Sequence, residues 1–220
     1  MFKKLLLATV LSFASLSAFA EAVDLNFVST NTTVSTQVSV NGSNLNTAIG
    51  SYNLLTAGAP SSIIGFCVDP YQWATTAITT YEKSTLDASD FFSGNGKTRV
   101  LNAQKLFDNA YASLSGAEQT AGFHLALWEI FHDDLSTTSG SILATSASDA
   151  GMLAAANTFL GALNGWDTTN AFDLTFFGSA DKQDFLVANP SAVPVPAALP
   201  LFASGLLGFG AMRRRNKAKA

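Results

Sequence analysis

From residue 22 to 56, apolar and polar residues alternate with period two, the spacing of a strand with one buried face. Val23, Leu25 and Phe27 fall on one face, and Val34, Thr36, Val38 and Val40 resume the alternation. Asn41-Gly42 follows as a hairpin signal, because both residues tolerate positive φ. This stretch predicts two to four antiparallel strands. Ile63-Ile64-Gly65-Phe66-Cys67-Val68 is a short apolar run, ended by Asp69-Pro70, and predicts a buried strand. Residues 71–81, rich in Thr and aromatic side chains, predict another.

The period then changes. Ala103, Leu106, Phe107, Ala110, Tyr111 and Leu114 follow helical spacing, so residues 98–113 are expected to be a helix. Ser115-Gly116-Ala117-Glu118 reads as a capping box opening a second helix that runs to about Asp133. Ala121, Leu125, Trp128 and His132 share one face of it, while Phe123, Leu127, Ile130 and Phe131 widen the apolar stripe and imply deep burial. A third helix is expected over 149–163, stopped by Gly165. Phe172, Leu174 and Phe176 alternate as a strand that pairs with residues 183–187 through a turn at 178–181. Strands, then helices, then strands predict an α+β domain over 21–188. Its sheet is mostly antiparallel, with a helical insertion. A linker at 189–193 follows.

Charge separates the body from the two ends. Seven of the 12 Lys and Arg residues sit at the termini, whereas all 16 acidic residues lie between, leaving five basic residues and a net charge of −11 there. Such a surface repels phosphate backbones and excludes nucleic acid as a partner. Residues 1–20 have a basic start at Lys3 and Lys4, an apolar stretch, and small residues at Ala18 and Ala20. They read as a signal peptide cut between Ala20 and Glu21, which makes the Sec machinery and signal peptidase partners. Residues 193–212 carry no charge over 20 positions. That is long enough for a transmembrane helix across a hydrocarbon core of about 30 Å. Arg213, Arg214 and Arg215 then form a basic stop expected to stay cytoplasmic.

The order of a Pro-containing motif, an apolar helix with small residues and a basic cluster resembles the PEP-CTERM sorting signal of Gram-negative bacteria. The likeness covers residues 194–220, with Pro194-Val195-Pro196 as the motif and Val195 where the family usually has Glu. It implies recognition by an exosortase, a membrane cysteine peptidase that cleaves near the motif. It also implies a transient stay in the inner membrane, then delivery to the cell surface or a biofilm matrix. There extracellular polysaccharide or other surface proteins are the expected partners.

Phe66-Cys67-Val68-Asp69 and Phe123-His124-Leu125-Ala126-Leu127-Trp128-Glu129-Ile130 resemble a second family, the thioester domain of bacterial surface adhesins, over roughly 60–187. In that family a strand cysteine bonds the glutamine of a Gln-x-Ala-aliphatic-Trp motif, giving an electrophile that captures surface amines. Here His124 stands at the glutamine position. Imidazole has no carboxamide carbonyl and cannot form the acyl thioester, so the expectation is the scaffold without the bond.

Cys67 is the chain's single cysteine, so no intramolecular disulfide can form. Three readings of Cys67 and His124 stand side by side. They are a buried thiol with a packed core histidine, a Cys–His nucleophile pair of a secreted hydrolase, and the thioester of a covalent adhesin. The first is favoured, with no catalytic residues, metal or cofactor. His124 and His132 lie about 12 Å apart along a helix, too far to share an ion. Asp133-Asp134 reads as a solvated helix end. Trp128, Glu129, Phe131 and Trp166 suggest carbohydrate stacking, but helical spacing favours burial for the first three.

Overall fold

In the computed structural model, which describes residues 21–86 and 96–192, the predicted hairpin is one pair of long strands. These are β1 (Glu21–Val40) and β2 (Ser43–Thr56), so the stretch holds two strands rather than four. Asn41 and Gly42 close the hairpin with φ of 51° and 77°, and Val40 faces Ser43. Two irregularities interrupt the ladder. Val28 is an extra residue on β1, and further on Asn31 and Thr32 oppose the single residue Ser51. Such bulges bend a strand and raise its twist. The bent β1 reaches different neighbours at its two ends. Residues 21–25 pair with β4 (Thr79–Thr85), and residues 38–40 pair with β5 (Ile142–Ala144).

The remaining strands are β3 (Ile63–Cys67), β6 (Phe172–Gly178) and β7 (Phe185–Pro190). β2 pairs with β3, β3 with β7, β7 with β6, β6 with β4, and β4 with β1, all antiparallel. The pairing therefore returns to its starting strand, and six strands close a ring with β5 added beside β1. Closure removes the unpaired edges that an open sheet would present. β7 extends to Pro190, so Asn189 and Pro190, in the predicted linker, pair with Asp173 and Phe172.

Three helices complete the α+β architecture: α1 (Gly96–Ala110), α2 (Gly116–His132) and α3 (Ala150–Ala162). Asp149 caps α3, accepting the Met152 amide at 2.7 Å, as an N-cap aspartate should. The capping box expected at α2 is not made. Gly116 has φ of +75°, and Ser115 instead bonds Gln119, whose Oε1 accepts the Ser115 amide at 3.0 Å and hydroxyl at 3.2 Å. Glu118 packs against Gly151 of α3. The strand predicted over 71–81 is also corrected, since only Thr79–Thr85 is extended and paired. Pro70 has no amide to give a ladder, and Asp69 Oδ1 accepts the Tyr71 amide at 2.8 Å, turning the chain.

Alternate residues of β3, β6 and β7 serve two cores. Cys67, Phe177, Phe185 and Val187 join Leu25, Ile49, Tyr52 and Leu54 in one. Phe66, Leu174, Phe176 and Leu186 join α1 in the other. α2 belongs to both, through Ala121, Leu125 and Trp128 on one side and Phe123, Leu127 and Phe131 on the other. That double burial explains the apolar stripe that runs most of the way round the helix. α2 meets α3 at Gly122, where a Cβ would lie 2.5 Å from Ala155 Cβ.

The chain divides into two units between Pro190 and Ser191, and all these elements belong to the first. The predicted signal peptide with Ala20, the motif Pro194-Val195-Pro196, the predicted transmembrane helix and Arg213, Arg214 and Arg215 lie outside the described residues. Among the described residues, no helix is long and apolar enough to cross a membrane.

Candidate functional site

β3 delivers Cys67 at its last position, opposite Phe185 of β7, and the residue is fully buried. α2 passes over this strand end with His124, Trp128 and His132 at a four-residue spacing, so the three rings line one helix face. Each ring meets a main-chain carbonyl. His124 Nε2 lies 2.6 Å from Cys67 O, and Trp128 Nε1 donates to the same oxygen at 3.1 Å. His132 Nε2 lies 2.5 Å from Val68 O. The helix thus supplies side-chain donors to the end of β3.

The other nitrogen of His124 decides its tautomer. The Gly50 amide donates to Nδ1 at 2.9 Å, so Nδ1 is the acceptor and Nε2 carries the hydrogen toward Cys67 O. Gly50 can do this because it sits at the second bulge with φ of +149°, its amide turned out of the ladder. A Cβ there would lie 2.0 Å from Thr32 O, so no other residue fits without a backbone shift. Burial drives the His124 pKa down to about 3, with the hydrogen bond to Cys67 O opposing. The neutral ring packs edge-on against Tyr52, Phe66 and Trp128, with centroids 5.7, 5.8 and 4.8 Å away.

The Cys67 thiol takes a separate partner. It donates to Asp69 O at 3.2 Å, an oxygen that Gln183 Nε2 also approaches at 3.3 Å. Burial pushes the thiol pKa well up, so the protonated form is held. Strand and helix bring Cys67 and His124 together. The imidazole N–H, however, is directed to the cysteine's carbonyl, and the other ring nitrogen is occupied by Gly50.

Two buried acids lie nearby. Asp184 Oδ1 accepts the Ser179 amide at 2.6 Å, and burial raises its pKa to about 7, with Asp69 adding to the rise. Glu129 is fully buried at the far end of α2, with its pKa raised to about 9 by burial first and by Asp133 next. Trp128 and Phe131 are buried and Trp166 packs on the second core, so none of these aromatics is fully presented to solvent. Exposed aromatics lie elsewhere, on the 69–78 turn, where Trp73 is 66% exposed and Tyr71 47%.

No known protein family, curated protein or solved structure matches this chain. The site therefore rests on its own geometry. Sequence reasoning found Cys67 and His124 but not Gly50, whose amide donates to His124 Nδ1. The available signal was a lone glycine within a strand pattern, Ile49-Gly50-Ser51, which often marks a bulge.

Proposed function

We propose that the chain is an exported surface or extracellular-matrix protein. In this reading an exosortase sorts it, and its ectodomain is a structural or binding module rather than an enzyme. The observation that carries the ectodomain reading is the use of His124. Both ring nitrogens are spent on main-chain groups, Gly50 N and Cys67 O, and none is left to activate the thiol. A nucleophilic cysteine needs thiolate character and access, and Cys67 has a raised pKa and no exposure. The hydrolase reading loses support on both counts, and the covalent-adhesin reading lacks the glutamine its chemistry requires. What remains is a thioester-domain-like scaffold in which a histidine latch replaces the covalent link between strand and helix.

Export and sorting rest on the two termini: the basic and apolar order of residues 1–20, and the motif, apolar segment and arginines of 194–220. The surface that suits the binding role is Trp73, Tyr71 and Ile78, large apolar side chains exposed on one turn. Extracellular polysaccharide suits it, because sugar faces stack on aromatic rings. Deleting the exosortase gene of the producing cell tests the sorting reading. The uncut chain is expected to accumulate in the inner membrane, and unchanged processing and release would contradict it.

A further inference from the structure

The C-terminal end of α2 and the loop that leads to β5 gather three carboxylates on one spot. One oxygen from each of Glu129, Asp133 and Asp134 lies within 4.8 Å of the other two. Each group also has one oxygen fixed by the same loop. Glu129 Oε2 accepts the Ser136 amide at 3.2 Å, Asp133 Oδ2 the Ile142 amide at 2.5 Å, and Asp134 Oδ2 the Ser139 hydroxyl at 2.8 Å. Gly140, at φ of +88°, lets the loop close over Asp133, whose carboxylate would collide with any Cβ there. Among the described residues, no Lys or Arg forms an ion pair with any of the three.

The independent observation is Glu129 itself. Its side chain is fully buried, yet Oε1 has no hydrogen-bond partner. A buried carboxylate oxygen without a donor is costly, and a cation is the partner that three converging carboxylates would share. We propose that Glu129, Asp133 and Asp134, with the 133–142 loop, bind one calcium ion. The donors are all hard oxygens, which disfavours soft transition metals. Calcium–oxygen distances of about 2.4 Å let a single ion bridge oxygens up to roughly 4.8 Å apart. The Ser139 hydroxyl already touches Asp134, and water would complete the six to eight ligands that calcium takes, whereas magnesium demands a stricter octahedron. The bound ion would tie the end of α2 to β5, and through β5 to the far end of β1.

The test is calorimetric titration of the purified, EDTA-stripped protein with calcium chloride, alongside thermal melts with calcium or magnesium. One site is expected, with a dissociation constant on the order of 10⁻⁴ to 10⁻³ M and a saturable rise in Tm. Asp134 is exposed, so Asp134→Asn should fold normally and still weaken binding about tenfold or more, as should Glu129→Gln. Absence of calcium-dependent heat and Tm shift in the unaltered protein would overturn the proposal. A shift equal in both variants, or reproduced in full by magnesium, would also overturn it.

Discussion

Gly50 and His124, separated by 74 residues in sequence, are joined by a 2.9 Å hydrogen bond from a bulge amide to an imidazole nitrogen. The bulge alone frees that amide from the β1–β2 ladder, and the amide alone fixes the histidine as its Nε2–H tautomer. Through that hydrogen the Cys67 carbonyl at the end of β3 is tied to α2. β2, β3 and α2 are thereby linked at one buried point.

Gly50→Ala should therefore be among the costliest single-atom additions in the domain. The new Cβ meets Thr32 O at 2.0 Å, at a φ that L residues rarely adopt. A loss of about 2–3 kcal/mol is expected from urea unfolding. A change below about 0.5 kcal/mol, the usual size for an unconstrained surface site, would show that the bulge is not required.

His124 is expected to stay neutral well into the acid range. Its pKa is about 3 in the fold against 6.5 for the unperturbed side chain. The unfolded chain therefore binds the extra proton first. The stability that depends on the neutral ring is complete above pH 6.5 and is lost as pH falls toward 3. At roughly 1.4 kcal/mol per pH unit, the loss reaches about 4–5 kcal/mol over that window. Nitrogen NMR of the ring should report an unprotonated Nδ1 and no titration between pH 8 and 5. An ordinary midpoint near 6.5 would refute the assignment. His124→Ala should cost about 3–4 kcal/mol at neutral pH, because it opens a cavity and leaves Gly50 N without its acceptor.

Asp184 carries the opposite sign. Its pKa rises from 3.8 to about 7 in the fold, so the native state keeps a proton that the unfolded chain has released. Its stabilising contribution is full below about pH 4 and is lost as pH rises to 7, by about 4 kcal/mol in total. Asp184→Asn, which can still accept the Ser179 amide, removes that dependence. Its stability relative to the unaltered protein should climb between pH 4 and 7 and then level off. A difference independent of pH would mean that Asp184 is ionised throughout.

Trp73 offers a test of the binding reading that is separate from stability. At 66% exposure its side chain adds little to the core, so Trp73→Ala should change unfolding free energy by no more than about 0.5 kcal/mol. Retention on extracellular polysaccharide from the producing cells should fall. Equal retention would remove this turn from the candidate surface.

Local order was legible in the sequence where a single periodicity decided it. The hairpin at Asn41-Gly42, the α2 stripe and the α3 run are local patterns, and the α+β class followed from their order. What was not legible depends on distant partners. β3 with β7 and β4 with β6 pair across more than 85 intervening residues, and no local spacing encodes that closure. β5 is three residues long and owes its existence to the end of β1. At α2, Ser115 and Glu118 fit the capping box by type, but Gly116 at positive φ and Gln119 one residue further on gave a different bond. At the site, residue types pointed to Cys67 and His124 together. Which atom of Cys67 the imidazole meets is a matter of three-dimensional register, and it falls on the carbonyl.

The state of Cys67 in the purified protein tests this account most directly. Intact-mass measurement should give the full mass expected for the purified chain, with Cys67 alkylated by iodoacetamide after denaturation and protected before it. A mass lower by about 17 Da, the loss of ammonia that a thioester requires, or rapid alkylation of the native protein would contradict a sealed, unreacted thiol beneath a histidine latch.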